Sequence, residues 1–132
     1  MTRIAPVTGT DAIRARVPAA LDCYAETRAA VLEGGIVDRS LKELCARYLA
    51  DDPEVTGFEG SDGFSERERV ALAWTHAIAF DSDRADADLW RGLHEHFSEP
   101  ELVELGYYAA FVLGQTHWLR TLGVKPQGEV AP

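Results

Sequence analysis

Three copies of one local signal divide this chain: Ser40-Leu-Lys-Glu43, Ser65-Glu-Arg-Glu68 and Ser98-Glu-Pro-Glu101. In a Ser-x-x-Glu capping box the serine oxygen accepts from an early helix N–H, and the glutamate reaches back to the serine's own N–H. Each copy precedes a run with helical apolar spacing, and Pro100 stands in the first turn of its helix, where a missing N–H costs nothing. No segment alternates apolar and polar residues as a half-buried strand would. Together these features predict an all-α domain.

The remaining boundaries follow from breakers. Pro18–Glu33, with Ala20, Leu21, Tyr24, Val31 and Leu32, reads as a helix stopped by Gly34-Gly35. A second helix is expected over Leu41–Ala50, with Leu41, Leu44, Cys45, Tyr48 and Leu49 on one stripe. An acidic, glycine-containing loop over Asp51–Gly63 separates it from a helix over Glu66–Phe80 that turns Val70, Trp74, Ala77 and Ile78 inward. Asp81–Ala85 reads as a connector and Asp86 as the cap of a helix ending at His96 or Phe97. The last helix runs from Glu99 to Leu122, closed by Gly123 and Pro126. One domain over 1–132 is expected, compact and of five to six helices, with its helical core at 18–123 and loose ends at 1–10 and 124–132.

Composition narrows the function classes. At 132 residues the chain is long enough to build a core without a disulfide or metal. Its net charge of -9 opposes phosphate backbones, so nucleic acid is not an expected partner. The longest apolar stretch, Leu105–Leu113, falls far short of the roughly 20 residues a membrane span needs. MTRIAPVTGTD lacks an apolar signal region, and a cytoplasmic protein is expected.

The candidate chemistry is sparse. His94 and His96 lie about 200° apart on a helix and cannot close on one ion. Asp81–Asp88 opens like a calcium loop but has Asp86 and Gly92 where glycine and glutamate are needed. No metal or cofactor is expected. His76 flanks the apolar stripe of its helix and reads either as a structural histidine or as an acid/base group. His117 follows Gly106, Ala110 and Gly114, a small-residue seam, so it either walls a pocket or bonds a carbonyl at the seam's end. Glu43 suits pairing with Arg47. Cys23 and Cys45 read as small hydrophobes, although Lys42 and Arg47 near Cys45 leave a reactive thiol open.

The segments Asp38–Leu49, Phe64–Ala79 and Phe97–Val124 carry a further signal. Leu41-Lys-Glu-Leu44, Phe64-Ser-Glu-Arg-Glu-Arg-Val-Ala-Leu-Ala-Trp74, His96-Phe-Ser-Glu-Pro-Glu-Leu-Val-Glu-Leu105 and Leu119-Arg-Thr-Leu-Gly-Val124 resemble the carboxymuconolactone decarboxylase family, which includes the alkylhydroperoxidase D-like proteins. The resemblance implies an all-helical fold and assembly as trimers or hexamers through helix faces. It implies that Glu43 matches the family's glutamate. Counted at the family's spacing, the redox cysteines would fall at Val55 and Phe58 and the histidine at Asp62, none of which keeps that chemistry. Three readings remain. One is a cofactor-free lyase or isomerase on a small organic acid or enone, with acid/base work at Glu43, His76 or His117. Another is a non-catalytic, oligomeric module that binds a small ligand. The third is a thiol-dependent hydroperoxide reductase using Cys45.

Overall fold

The structure is a computed structural model, described here for residues 9–124. It contains seven α-helices and no strand among the described residues: α1 (Thr10–Arg14), α2 (Pro18–Thr27), α3 (Arg39–Leu49), α4 (Pro53–Thr56), α5 (Glu66–Phe80), α6 (Ala87–His96) and α7 (Glu99–Thr121). The all-α expectation holds. The count exceeds five to six because two single-turn helices, α1 and α4, fall in stretches too short to show a period. The loose ends expected at 1–10 and 124–132 lie almost wholly outside the described residues.

Two of the three predicted capping boxes form in full. Ser65 accepts from the Glu68 N–H at 3.1 Å while Glu68 accepts from the Ser65 N–H at 2.8 Å. Ser98 and Glu101 repeat the arrangement at 3.3 and 2.9 Å. Asp86 caps α6 through the Leu89 N–H, and Asp52 caps α4 through the Glu54 N–H. Ser40 does not cap. Helix α3 begins two residues earlier than expected, at Arg39, so Ser40 lies inside it and donates to Asp38. α2 continues as a π-helical turn over Arg28–Leu32, and α7 ends before Gly123 at φ 83°.

Helices α3, α5 and α7 pack against one another, with α6 on the outer side of α5. The whole predicted α3 stripe is buried: Leu41, Leu44, Cys45, Tyr48 and Leu49. It meets Ala71 and Leu72 of α5 and Leu102 and Leu105 of α7. The α5 face departs in part from expectation. Ala77 is buried as expected, together with Ala71, Leu72 and Thr75, whereas Val70, Trp74 and Ile78 are half-buried, Val70 facing Gly92 of α6 and Trp74 lying between Trp90 of α6 and Gly106 of α7.

A buried ion pair ties the loop before α3 to the bundle. Lys42 is fully buried; its Nζ donates to the carbonyls of Val31 at 2.6 Å and Gly34 at 2.7 Å and meets Glu104 Oε2 at 3.1 Å. Glu104 in turn accepts from the backbone N–H groups of Ile36 and Val37. The loop reaches this carboxylate through Gly35 at φ 89°, where any Cβ would collide with the Glu104 side chain.

Candidate functional site

The acid/base candidates do not converge. Glu43 projects from the solvent side of α3 and pairs with Arg39 at 3.0 Å, one turn back rather than forward to Arg47. His117 is exposed on α7. The seam that was expected to lead it toward a pocket splits in two. Gly106 is filled from within the chain by Trp74 of α5, whereas Ala110 and Gly114 face outward. His117 continues the outward half.

His76 is half-buried and has a partner. Its Nδ1 lies 2.5 Å from the Tyr48 hydroxyl, and its ring packs on Phe80 at 5.2 Å. Burial pushes the Tyr48 hydroxyl above its ordinary pKa, so the phenol stays protonated and can donate to the imidazole. Phe58 meets Tyr48 edge-on at 5.8 Å. Val55 and Phe58, where the family resemblance would place a cysteine pair, are both core residues beneath α3.

Cys45 is fully buried, and its thiol is pushed up to about 11 by that burial, only partly offset by a hydrogen bond with Thr75. A peroxidatic cysteine needs access and thiolate character. Cys45 has neither, despite Lys42 being nearby in sequence, because that ammonium is committed to Glu104 and two carbonyls. Cys23 is the exposed thiol. Among the described residues no group of three His, Cys, Asp or Glu is placed to hold a metal.

A site that sequence reasoning missed lies on the other side of the bundle. Helices α1 and α2 lean against the C-terminal half of α7 and leave a half-open cleft of about 430 Å³. Its walls are aromatic: Tyr24 of α2, and Tyr107, Phe111 and Trp118 of α7. Tyr107 and Phe111 stack at 6.3 Å with an interplanar angle of 8°, and Phe111 stacks on Tyr24 at 5.9 Å. The Arg14 guanidinium completes the row, 3.5 Å from the centre of the Tyr24 ring. Ala20, Cys23 and Thr27 supply the α2 side.

Arg14 is 5% exposed. Its Nε and Nη2 both donate to Gln115 Oε1, at 3.2 and 2.9 Å, a contact spanning 101 residues of sequence. Its carboxylate partner is Asp11, at 3.4 Å, and that side chain is 66% exposed. With its oxygen committed to the guanidinium, Gln115 turns its amide NH2 the other way. The cleft therefore combines aromatic walls with a fixed Arg14–Gln115 polar pair at one end. The spacing Tyr107, Phe111, Gln115, Trp118 places these residues on one α7 face, a signal that was open to sequence reading. Arg14 carried none.

No protein-family model, curated protein or solved structure matches this chain.

Proposed function

We propose that this chain is a non-catalytic helical module that binds a small, largely apolar ligand in the α1–α2/α7 cleft and associates with copies of itself through α7. The observation that carries the reading is the cleft. Its volume falls in the range of roughly 300–1,000 Å³ typical of small-molecule sites, and it pairs aromatic walls with a few fixed polar groups. None of Glu43, His76 and His117 lines it. On this reading the resemblance to alkylhydroperoxidase D-like proteins concerns the helical scaffold, with Val55 and Phe58 packing the positions a redox pair would occupy.

Self-association is supported by the outer face of α7. Val103 is 72% exposed and Tyr107 53%, and Ala110, Gly114 and Trp118 extend the same side of the helix. A helix that is apolar on opposite sides needs cover on both, and no helix among the described residues is long and apolar enough to cross a membrane. A further copy of this chain would supply that cover.

The Tyr48–His76 pair favours a second reading, acid/base catalysis on a small organic acid or enone, since imidazole moves protons near neutral pH. The binding reading has a direct test. On the binding reading, the neutral dye N-phenyl-1-naphthylamine binds one per chain with a rise in fluorescence, and alkylation of Cys23 at the cleft wall blocks it. Absence of binding, or binding indifferent to the block, overturns the cleft assignment. Val103→Glu lowers the mass seen by sedimentation; a wild-type chain that is monomeric at high concentration removes the self-association.

A further inference from the structure

The charge distribution around the cleft says more about its occupant than its volume does. The chain carries 22 acidic residues, yet among the described residues none lines this cleft, whose lining includes the cation Arg14. The contrast with the adjacent space is direct. A smaller cleft of about 240 Å³ on the other side of Tyr24 includes Asp11, Arg28 and Glu33, and Arg28 is paired there with Glu33 at 2.6 Å. In the larger cleft the guanidinium is nearly out of water, and its only carboxylate partner among the described residues is the exposed Asp11, at 3.4 Å. A buried cation is normally matched by a close anion. Arg14 has a neutral amide oxygen and an aromatic face at short range, and its carboxylate only at 3.4 Å.

Resting on the ligand-binding reading above, we propose that the cleft is a site for a small aryl carboxylate. The carboxylate sits at the Arg14–Gln115 end, taking hydrogen bonds from the remaining guanidinium N–H groups and from the Gln115 amide. The aromatic ring lies along the Tyr24–Phe111–Tyr107 row under Trp118. Three features select this class. A guanidinium already held by stacking and by two bonds to Gln115 offers its remaining Nη1 and Nη2 N–H groups without further loss of rotamer freedom. The Tyr24, Phe111 and Tyr107 rings form a continuous aromatic wall against which a further ring can pack by offset stacking or edge-to-face contact. No acid among the described residues lines the cleft, in a protein of net charge -9, and the nearest carboxylate, Asp11, meets Arg14 at 3.4 Å from outside the lining with its side chain 66% exposed to water.

The test uses the full chain with 3-phenylpropionate, its uncharged counterpart 3-phenylpropanamide, and octanoate as a carboxylate without a ring. Binding is followed by calorimetry and by the fluorescence of Trp118, with Trp118→Phe identifying that part of the signal. The expected result is that 3-phenylpropionate binds at least about tenfold more tightly than either analogue, the scale of one charge-assisted hydrogen bond. Gln115→Glu supplies Arg14 with an internal carboxylate. It is expected to abolish the preference for 3-phenylpropionate over the amide while holding or raising the melting temperature, so lost binding cannot be ascribed to unfolding. Equal affinity for acid and amide overturns the anion assignment and leaves the apolar cleft standing. Octanoate binding as tightly as 3-phenylpropionate overturns the aromatic assignment. If N-phenyl-1-naphthylamine also fails to bind, the ligand-binding reading falls with it.

Discussion

Glu104→Gln is the most exposing single test of how this fold is held. The carboxylate takes three donors: Val37 N–H at 2.6 Å and Lys42 Nζ at 3.1 Å on Oε2, and Ile36 N–H shared between both oxygens at 2.9 and 3.0 Å. Glutamine has the same shape but only one acceptor. With its oxygen in the Oε2 position, its NH2 faces the Ile36 N–H, donor against donor. Flipped, the NH2 faces both Val37 and the ammonium. Either way Lys42, whose side chain is 1% exposed, keeps two carbonyls and loses its counter-charge. Breaking a buried pair by removing one partner costs about 3–5 kcal/mol. Since one acceptor survives, the lower end applies, about 3 kcal/mol. For a domain of this size that lowers the melting temperature by about 10–15 °C.

The assay is urea unfolding followed by helical circular dichroism at several pH values, and pH provides an internal control. Burial pushes the Glu104 carboxyl up, but the Val37 and Ile36 N–H groups and Lys42 more than offset it, so its folded pKa lies below the ordinary value. A depressed folded pKa gives stability that is complete above the unfolded value of about 4.3 and is lost as pH falls through the folded one. The gap between wild type and Glu104→Gln should therefore stay constant from neutral pH down to about pH 5 and close below it. A gap under about 1 kcal/mol at neutral pH, or one that persists in acid, refutes the reasoning.

Three further outcomes follow from the same geometry. In native protein a thiol reagent modifies Cys23 promptly and Cys45 only on unfolding, and one equivalent of an organic hydroperoxide leaves Cys45 reduced; rapid, reversible oxidation of Cys45 by intact mass would revive the peroxidase reading. Gly35→Ala loses at least about 1–3 kcal/mol, because a Cβ meets both a positive φ and the Glu104 carboxylate, and a stability unchanged in urea would contradict that placement. Gly106→Ala destabilises, its Cβ lying 2.8 Å from the Trp74 ring, whereas Gly114→Ala, with open space around it, stabilises the chain by about 0.5–1 kcal/mol; equal effects would mean that the seam is not split.

Local signals were the legible part of this sequence. Ser65 and Ser98 announced their helices because both partners of a capping box lie within four residues, and the α3 stripe was readable from period alone. Ser40 misled for an equally local reason: the same Ser-x-x-Glu pattern is compatible with a helix interior when Arg39 and Glu43 pair one turn apart. Lys42 had a readable anomaly. It shares the face of Cys45 and Leu49 at spacings of three and seven, an odd place for an ammonium. The sequence could not supply its answer, because Glu104 and the Val31 and Gly34 carbonyls arrive from other elements.

The same distinction explains why the candidate chemistry and the candidate site parted company. Histidines, cysteines and glutamates attract notice by residue type, but their roles depend on what covers them. Glu43 and His117 fell on outer faces, and Cys45 fell at the centre of the core, where desolvation suppresses the thiolate that would make it reactive. The cleft is made of residues that carry no chemistry alone: two tyrosines, a phenylalanine, a tryptophan, a glutamine. Their significance comes from Arg14, brought from the far end of the chain and left without a close carboxylate. A weakly matched charge is a property of a three-dimensional neighbourhood, and a guanidinium held inside an aromatic cleft with only a 3.4 Å contact to an exposed carboxylate is the feature that gives that cleft a direction.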